Sequence, residues 1–482
     1  MEDVVISVRD PSRFESVIGT ERSNDFMAVA GAATELLRGV SVLNVNSTAA
    51  GGGVAEMLHV LLSYVRGIGV DARWAVIEGS PEFFTLTKRI HNHLYGTDGD
   101  GGDLDEAAQR VYERTLASEV AELANRVQAD DVVILHDPQT AGLAEAATKL
   151  GCRVVWRCHV GIDEPNEHSQ RAWDFLRPHL EPFVDHYVFT DARFPPPWVP
   201  DDRCSIIWPS IDPFSPKNQP LSDEQVEAIL SHVGVVAGRE GDTSFVRTDG
   251  TPSRVERFCD VFRTGPPASA RSPMVAQVSR WDSMKDMSGV MAAFEQVLES
   301  APDAELVLAG PVVSAVADDP EGGEVLEACW EQWRQLPHSV RRRVQLVCLP
   351  MHDLEENAAI VNALQRHCEI VAQKSLAEGF GLTVAEAMLK GTAVIGSAVG
   401  GIVDQIIDGE TGLLVDDPND LDTFAAAVIR LLEDDDLRMR LGQGARQRAV
   451  EMHLGDVHLR QWVDVVAAVL GLPSPNGVSS AD

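Results

Sequence analysis

Short apolar runs alternate with helix-length segments through most of this 482-residue chain, and this alternation constrains its fold more than any other feature. Six runs lie in the amino-terminal half, near residues 42–46, 72–77, 132–136, 153–157, 185–189 and 204–207. Six more lie in the carboxy-terminal half, near residues 274–278, 305–309, 344–348, 369–372, 393–396 and 412–415. Because parallel strands are joined through crossover helices, the pattern predicts two α/β domains, each a parallel sheet with helices on both faces.

Composition excludes several classes of partner. The net charge is −34, whereas nucleic acid, anionic lipid and heparin-like ligands require basic surfaces. No apolar run approaches the ~20 residues of a membrane helix, and the start lacks the basic and apolar regions of a signal peptide. Seven scattered cysteines without a Cys-x-x-Cys pair favour a reducing compartment over a disulfide framework or a zinc cluster. These features predict a cytoplasmic protein without nucleic-acid or membrane partners.

One βαβ unit carries the most informative motif, Glu378-Gly-Phe-Gly-Leu-Thr-Val-Ala-Glu386. It lies between the apolar runs that begin at Ile370 and Thr392, so its glycine turn follows a strand, where open α/β sheets bind ligands. A glycine turn that opens a helix presents backbone N–H groups that suit phosphate. If the segment is helical, its two carboxylates share one face two turns apart, and carboxylates suit sugar hydroxyls. The motif predicts a nucleotide-sugar site; the alternative is an ordinary turn with a solvated Glu386.

Two further segments accompany this motif. Val275-Ala-Gln-Val-Ser-Arg280-Trp-Asp-Ser-Met-Lys285 precedes it, and Gly400-Gly401-Ile-Val-Asp404 with the turn Asp408-Gly-Glu-Thr-Gly412 follows it. In this order the three segments resemble the retaining GT-B glycosyltransferases of family 4. The features that carry the resemblance are the paired glutamates, an Arg-x4-Lys element after a strand, and the next strand and turn.

The amino-terminal half contains five further motifs. They are Val42-Leu-Asn-Val-Asn-Ser-Thr-Ala-Ala-Gly51-Gly52-Gly53, Arg89-Ile-His-Asn92-His-Leu-Tyr-Gly96, His136-Asp137-Pro-Gln, Trp156-Arg-Cys-His159 and Trp208-Pro-Ser-Ile-Asp212-Pro. Together they resemble the trehalose-forming branch of family 4, the glycosyltransferring trehalose synthases. The resemblance spans roughly residues 40–220 and 273–465.

The resemblance implies an α/β fold of GT-B architecture, in which two Rossmann-like doubly wound domains face a cleft. Residues 1–215 form the expected acceptor domain, and residues 216–454 form the nucleotide-sugar domain. A final helix over 455–471 is expected to pack back on the first domain. The proline-containing segment 215–220 is the predicted hinge.

Two segments fall outside the family pattern. Residues 235–272 are rich in loop-forming residues and are interpreted as an inserted excursion at the start of the second domain. Their role stays open between an interface, a lid and a neutral insertion. Residues 473–482 are predicted to be disordered.

For the donor, the resemblance implies that Arg280 and Lys285 neutralise the leaving diphosphate in place of a metal. It assigns the donor-sugar hydroxyls to Glu378 and the nucleotide ribose to Glu386. The other donor-binding residues that it implies are Gly52, Gly53, Leu349, Met351, Phe380, Gly381, Leu382 and Thr383.

In the first domain the resemblance implies that His159 faces the reacting centre, although a lone histidine at a strand end is more often structural. No residue is expected to act as a covalent nucleophile. Candidates for the acceptor side are Asn92, His136, Asp137 and Asp163. Archaeal-type members place an aspartate closer behind the histidine, where this chain has Gly161.

No metal or other cofactor is predicted. Asp434-Asp-Asp436 lies in a charged region typical of solvated residues. The segment Asp98–Asp105 resembles a calcium-binding loop only in part. It lacks glycine at the sixth position and has Gln109 in place of the bidentate glutamate.

The predicted activity is metal-independent, retaining transfer of glucose from an NDP-glucose to glucose, which makes α,α-trehalose. One alternative is a family 4 transferase with another acceptor, such as a sugar phosphate, glycerate or a natural-product core. A phosphorylated acceptor would need cations in the first domain, where Arg157 and Arg193 are the candidates. The other alternative is a non-catalytic protein that binds a nucleotide-sugar. The family also suggests a homodimer.

Overall fold

The computed structural model describes residues 1–49, 53–313 and 320–476. It divides into two compact units, one made of Met1–Ser210 with Gly455–Asp482 and the other of Ile211–Leu454. The change from one unit to the next therefore falls after residue 210, whereas the sequence placed it after residue 215.

The segment 215–220, predicted as a hinge, is fastened to the second unit. The buried side chain of Asn362 donates hydrogen bonds to the carbonyls of Pro216 and Gln219, at 3.0 and 2.9 Å. Arg366 donates to the carbonyls of Asn218 and Gln219, at 3.1 Å each. These bonds satisfy an irregular backbone that would otherwise be buried without partners, so the segment packs as part of the unit.

Strands and helices alternate along residues 1–210 as predicted. The strands are β1 (Glu2–Asp3), β2 (Ser41–Asn46), β3 (Asp71–Val76), β4 (Val132–His136), β5 (Arg153–Cys158), β6 (His186–Phe189) and β7 (Cys204–Ile206). The helices are α1 (Glu15–Ile18), α2 (Thr20–Leu36), α3 (Gly53–Gly67), α4 (Pro81–Leu94), α5 (Glu106–Ala124), α6 (Asp137–Thr140), α7 (Ala144–Lys149) and α8 (Glu167–Leu180).

The rest of the chain continues the alternation. The strands are β8 (Val236–Ala237), β9 (Ser244–Val246), β10 (Pro252–Arg254), β11 (Asp260–Phe262), β12 (Ala268–Ser269), β13 (Met274–Val278), β14 (Glu305–Pro311), β15 (Val344–Leu349), β16 (Ile370–Gln373), β17 (Ala393–Ser397) and β18 (Leu413–Val415). The helices are α9 (Asp223–His232), α10 (Met287–Ser300), α11 (Pro320–Gln335), α12 (His338–Arg341), α13 (Leu354–His367), α14 (Leu382–Lys390), α15 (Ile402–Gln405), α16 (Leu421–Glu433), α17 (Asp435–Met452) and α18 (Gly455–Val469).

The first unit is built on one twisted sheet with the strand order β1-β3-β2-β4-β5-β6-β7. Its strands run parallel except β1, which pairs antiparallel with the edge of β3. β2 lies between β3 and β4, so the direction in which successive strands are added reverses there. Because Val45 pairs with Leu135, the carboxyl ends of β2 and β4 meet beside this reversal, where open α/β sheets bind ligands.

The second unit repeats this plan with the order β11-β15-β14-β13-β16-β17-β18. Its reversal lies between β13 and β16, which pair parallel with Ala276 opposite Val371. Apolar strand residues are buried on both faces, as expected for parallel strands covered by helices. Every strand run predicted from the sequence is a strand, which confirms two Rossmann-like domains.

Residues 235–272 add short strands rather than forming only loops. β9 and β10 make a small hairpin, and β11 extends the main sheet antiparallel to β15. Glu356, buried at the start of α13, accepts backbone hydrogen bonds from Glu256 and Arg257 at 2.6 and 2.5 Å. The excursion is therefore bonded firmly to its own unit, a feature that its loop-rich composition concealed.

Helix α18 packs against α2, α3 and β5 of the first unit. Its first turn presents Asp456, which is almost fully buried and accepts from Nε and Nη2 of Arg22 at 2.7 and 2.9 Å. The following residues 473–476 are not disordered. Ser474 and Asn476 both donate to the carboxylate of Asp464, Asn476 at 2.7 Å. The rest of the predicted tail, 477–482, lies outside the described residues.

All seven cysteines are free, and all but Cys204 are buried. Among the described residues, none of the helices combines the length and the apolar character that crossing a bilayer requires.

The Asp456–Arg22 pair provides a test of how α18 is held. Replacing Asp456 by Asn keeps the shape but leaves the partly buried Arg22 guanidinium without its counter-charge, so we expect the free energy of unfolding to fall by about 1–3 kcal/mol. A urea titration of the intrinsic fluorescence measures this loss. The matched control is Asp303→Asn, which removes an exposed partner of Arg343 and should change stability by less than about 0.5 kcal/mol. Equal effects of the two substitutions would contradict the role of the buried pair.

Candidate active site

An ion pair joins the loops that follow β13 and β16, at the strand reversal of the second unit. Nζ of Lys285 donates to Oε1 of Glu378 at 2.8 Å, and their side chains are only 14% and 11% exposed. Oε2 of Glu378 accepts from the hydroxyl of Ser375 at 3.1 Å and from Nε2 of Gln373 at 3.4 Å. Two predicted site residues from distant parts of the sequence thus meet in a fixed, partly desolvated arrangement.

Gln277 sets the distance between these two loops. Its side chain is fully buried on β13; its nitrogen donates to the carbonyl of Lys285 at 2.5 Å, and its oxygen accepts from the backbone N–H of Lys374 at 2.9 Å. One amide therefore holds the backbone of both loops. Trp281 anchors the first loop further, because its ring is buried and Nε1 donates to the carbonyl of Pro311 at 2.9 Å.

Arg280 lies on the same loop as Lys285 and reaches towards solvent. Its side chain is 60% exposed, and Nη2 donates to Oδ2 of Asp282 at 3.0 Å. The other carboxylate oxygen of Asp282 accepts from the N–H of Met284 at 2.9 Å. Asp282 therefore shapes the turn and at the same time holds the guanidinium at the surface of the site.

The glycine turn before α14 forms as predicted. Gly381 precedes the helix with φ = +85°, a conformation that favours glycine, and no side chain caps the first turn among the described contacts. The N–H groups of Leu382 and Thr383 therefore open an uncapped helix, the geometry that binds anions. The side-chain nitrogen of Gln405 supports the turn by donating to the carbonyls of Phe380 and Gly381.

Gly400 and Gly401 form a second glycine motif, which lies directly against the turn at Glu378. The N–H of Gly401 donates to the carbonyl of Gly379 at 3.0 Å. A Cβ on Gly400 would lie 1.7 Å from the carbonyl oxygen of Glu378. Only glycine permits this close approach, so the pair packs the Glu378 turn against the next strand connection.

A second ion pair, between Lys374 and Asp286, was not predicted from the sequence. Lys374 follows β16, is fully buried, and pairs with the carboxylate of Asp286. Asp286 has φ = +46° and caps α10 by accepting from the N–H of Gly289 at 2.9 Å. Lys374 and Asp286 were visible in the sequence, but nothing local indicated that they pair.

Glu386 does not share a helix face with Glu378, because α14 begins only at Leu382. It lies within α14, mostly buried, with Oε1 3.5 Å from Nζ of Lys217. Lys390, one turn further on, donates to the carbonyl of Glu386 at 3.0 Å and to Asn218 at 2.9 Å. Burial lowers the pKa of Lys390 well below its usual range, although the charge of Glu386 opposes this. Glu386 therefore lies between two lysines.

Leu349 and Met351 lie at the carboxyl end of β15, two strands from the reversal and on the same edge of the sheet. Leu349 is buried, and Met351 is partly exposed. Asn357 fixes the turn between β15 and α13 by donating to the carbonyl of Pro350 at 3.0 Å.

A polar cluster occupies the strand reversal of the first unit. Nδ1 of His136, at the end of β4, lies 3.3 Å from Nε2 of His159, which follows β5. Nε of Arg157 donates to the same His159 nitrogen at 3.1 Å, and Oδ1 of Asp137 accepts from the His159 backbone N–H at 2.7 Å. The rings of His136 and His159 stack with an interplanar angle of 9°. The predicted residues His136, Asp137 and His159 are thus neighbours.

Burial dominates the protonation of this cluster. It lowers the pKa of His136 to about 3 and that of His159 well below its usual range, and the charge of Arg157 adds to both effects. Burial also raises the pKa of Asp137 to about 7, against the opposing hydrogen bond from His159, and lowers the pKa of Arg157 to about 9. Both histidines are therefore neutral at pH 7.

The hydrogen bonds fix where the His159 proton lies. Because Nε2 accepts from Arg157, the proton of the neutral ring is on Nδ1. Nε2 of His136 lies 3.0 Å from the side-chain oxygen of Asn44, which can only accept, so the proton of the neutral His136 ring is on Nε2.

The other predicted residues of the first unit lie outside this set of contacts. The side chain of Asp163 faces Arg193, 3.6 Å away. Asn92, on α4, packs against the turn at Gly99 and accepts at its carbonyl from Thr97 at 3.0 Å. Gly53 begins α3, whereas Gly51 and Gly52 lie outside the described residues.

Several acidic residues of the two segments considered as metal sites have structural contacts. Asp434 caps α17 by accepting from the N–H of Leu437 at 2.8 Å. In the 98–105 segment, Asp100 pairs with Arg89 at 2.6 Å, and Asp105 caps α5.

The chain was compared with known proteins. The family model for "Trehalose synthase, N-terminal domain" matches residues 44–196, and that for "Glycosyl transferases group 1" matches residues 262–448. The trehalose synthase of Pyrococcus horikoshii is 34% identical over 458 residues, which cover 95% of this chain and 96% of that protein. A trehalose phosphorylase of Pleurotus pulmonarius is 24% identical, over 91% of this chain and 58% of that protein.

A solved structure described as "Trehalose-6-phosphate from E. coli bound with UDP-2-fluoro glucose" superimposes with a TM-score of 0.65 at 15% identity. The match covers 88% of this chain and 99% of that one, and at this identity it shows the fold alone. Fold, family models and full-length relatives agree: the chain is a glycosyltransferase of GT-B fold and belongs to the trehalose synthase family.

Proposed function

We propose that this glycosyltransferase is retaining and metal-independent, and that it transfers glucose from an NDP-glucose to free glucose to form α,α-trehalose. The observation that carries the proposal is the pairing of Lys285 with Glu378 beside the uncapped start of α14. A cation and a helix start suit a diphosphate, and the adjacent carboxylate suits sugar hydroxyls. The similarity to trehalose synthases along the whole chain supports the product.

The donor binds at the second unit in this proposal. Lys285 and Arg280 neutralise the charge that develops on the leaving diphosphate, a role that other enzymes give to a metal ion. The backbone N–H groups from Phe380 to Thr383 hold the phosphate and sugar. Glu386 binds the ribose, and Leu349 with Met351 packs against the base.

Glu378 and Lys285 exchange partners when the donor binds. The phosphate takes over Lys285, while Ser375 and Gln373 keep the Glu378 carboxylate oriented. Glu378 then accepts from sugar hydroxyls. Because one set of charge-assisted bonds replaces another, the donor does not leave a desolvated charge unpaired.

The acceptor side rests on the first unit. Neutral His159 offers an Nδ1–H donor to a sugar oxygen, and His136, Asp137, Asn92 and Asp163 are proposed as acceptor-side residues. No side chain serves as a nucleophile: the departing phosphate takes the acceptor proton, and the protein contributes positioning and electrostatics.

A free sugar suits the first unit better than a phosphorylated one. Arg157 is buried, donates to His159 and to the carbonyl of Ile207 at 3.0 Å, and covers the Trp462 ring. Arg193 pairs with the carboxylates of Asp191 and Asp163. The two cations considered for an acceptor phosphate are thus already engaged with the protein. The suggested homodimer, and the lack of nucleic-acid and membrane partners, stay predictions from the sequence.

The reaction is tested directly with metal-free enzyme, UDP-, ADP- and GDP-glucose, and glucose as acceptor. We expect one donor to give trehalose and NDP in equal amounts, measured by chromatography. The relatives named trehalose phosphorylases make α-glucose 1-phosphate the necessary comparison donor. Trehalose from the sugar phosphate alone, or NDP release without trehalose, would contradict the proposal.

Substitutions of the two members of the Lys285–Glu378 ion pair are expected to affect NDP binding and turnover differently. Glu378→Gln should lower kcat by a factor on the order of 10²–10³, since an oriented charged group is lost. It should leave NDP binding at least as tight as in the native chain, because Lys285 is released. Lys285→Met should weaken both NDP binding and turnover. Steady-state kinetics and calorimetric titration with NDP measure the two effects.

Two surface substitutions in the same unit serve as controls. Arg271→Ala matches an Arg280→Ala change, which should abolish turnover, and Glu295→Gln matches Glu378→Gln. Both control residues are exposed, so both variants should keep native activity. Turnover that survives Arg280→Ala or Glu378→Gln would refute the site assignment.

A further inference from the structure

Two histidines and an aspartate converge where the end of α4, the following turn and the start of α8 meet. Nε2 of His93 lies 4.0 Å and Nδ1 of His168 lies 3.7 Å from Oδ1 of Asp98. The three atoms lie within 4.8 Å of one another. The residues come from separate parts of the sequence, so the fold and not a local motif brings them together.

His93 is the unusual member of this cluster. It is 2% exposed, yet neither of its ring nitrogens has a hydrogen-bond partner among the described residues. Nδ1 of His168 is likewise buried and unpartnered within that part of the chain. Buried polar groups nearly always have partners, and an exception requires an explanation. The unpartnered nitrogen Nε2 of His93 is also the one that faces Asp98.

The spacing suits a small metal ion. Zinc holds imidazole nitrogens and carboxylate oxygens at about 2.0–2.2 Å, so two of its ligand atoms lie roughly 3.4 Å apart in a tetrahedral site. The observed 3.7 and 4.0 Å are close to this separation, and small side-chain rotations close the difference. The rings of His93 and His168 lie nearly perpendicular, at 79°, so two nitrogens can point at one ion without a ring clash.

The protonation states agree with this geometry. Burial lowers the pKa of His93 below its usual range, and the neighbouring His168 adds to the effect, while Asp98 partly opposes it. Neutral imidazole is the form that coordinates metal ions. Two imidazoles with one carboxylate select divalent ions such as Zn²⁺ or Co²⁺ over Mg²⁺ and Ca²⁺, which prefer oxygen ligands.

We propose that His93, Asp98 and His168 bind a divalent transition metal ion of the Zn²⁺ type, with water in the remaining position. The ion fastens the 96–105 segment to α8. A protein bond already joins the two at the same place, since Asn166, the cap of α8, donates to the carbonyl of Gly96 at 2.8 Å. α8 follows the loop that carries His159 and Asp163, so the ion stabilises the framework of that loop. This structural role is independent of the proposed transferase chemistry and departs from the sequence prediction of no metal.

The test uses the full chain after removal of metals by a chelator, titrated with Zn²⁺ and separately with Co²⁺. We expect one ion per chain at this site, a higher thermal unfolding midpoint with Zn²⁺, and the visible absorption of histidine-bound Co²⁺. Asp98→Asn and His168→Gln should each weaken binding at least ~10-fold, the effect that loss of even an outer partner produces. Asp98 is 64% exposed, so its substitution leaves the fold intact.

The matched control is His338→Gln, which removes an exposed histidine of the second unit and should leave metal binding unchanged. The absence of saturable Zn²⁺ and Co²⁺ binding would overturn the proposal. Binding that is equally tight in the native chain, Asp98→Asn and His168→Gln would overturn it as well. Because these readouts are metal affinity and stability, failure of the proposed transferase reaction would not affect them.

Discussion

The reversal of strand order in each sheet is the constraint on which the rest of the structure depends. Parallel strands end at the same edge, and crossover helices leave on opposite faces at the reversal, which exposes the ends of two adjacent strands. In the second unit those strands are β13 and β16, and in the first they are β2 and β4. Both polar clusters lie at these positions. The geometry that the two units share is thus a property of the backbone. The side chains at each reversal determine the chemistry of that site.

Pairing of charges solves an electrostatic difficulty in the second unit. A chain with a net charge of −34 must concentrate cations to bind the proposed diphosphate donor, yet isolated buried cations are unstable. Lys285 is held by Glu378, Arg280 by Asp282 and Lys374 by Asp286. Of these three cations, Lys285 and Arg280 reach solvent and Lys374 does not, so a ligand can exchange partners with the first two. The fully buried Lys374 serves the structure, because it ties the β16 loop to the start of α10.

Structural features that depend on a local sequence pattern could be predicted from the sequence. Features that depend on contacts between distant residues could not. Apolar runs located the main strands, and the Glu378 motif located the turn before α14, since both signals are contiguous. The role of Gln277 could not be predicted, because nothing in the sequence around a single glutamine in a strand indicates that its side chain bonds to the backbone of two loops. The expected shared face of Glu378 and Glu386 failed because a glycine at positive φ starts the helix after Glu378. Similarly, loop-rich composition concealed that residues 235–272 bond to α13.

Arg157 explains why the two histidines of the first unit suit hydrogen bonding to a ligand better than acid–base chemistry. Its buried guanidinium occupies Nε2 of His159 and raises the free energy of any imidazolium beside it. A general acid needs a pKa near the working pH, whereas the pKa values of both rings lie far below it. His159 can therefore offer a neutral N–H donor of fixed direction but not a mobile proton. This limitation agrees with a reaction in which the departing phosphate accepts the proton and the protein fixes the geometry.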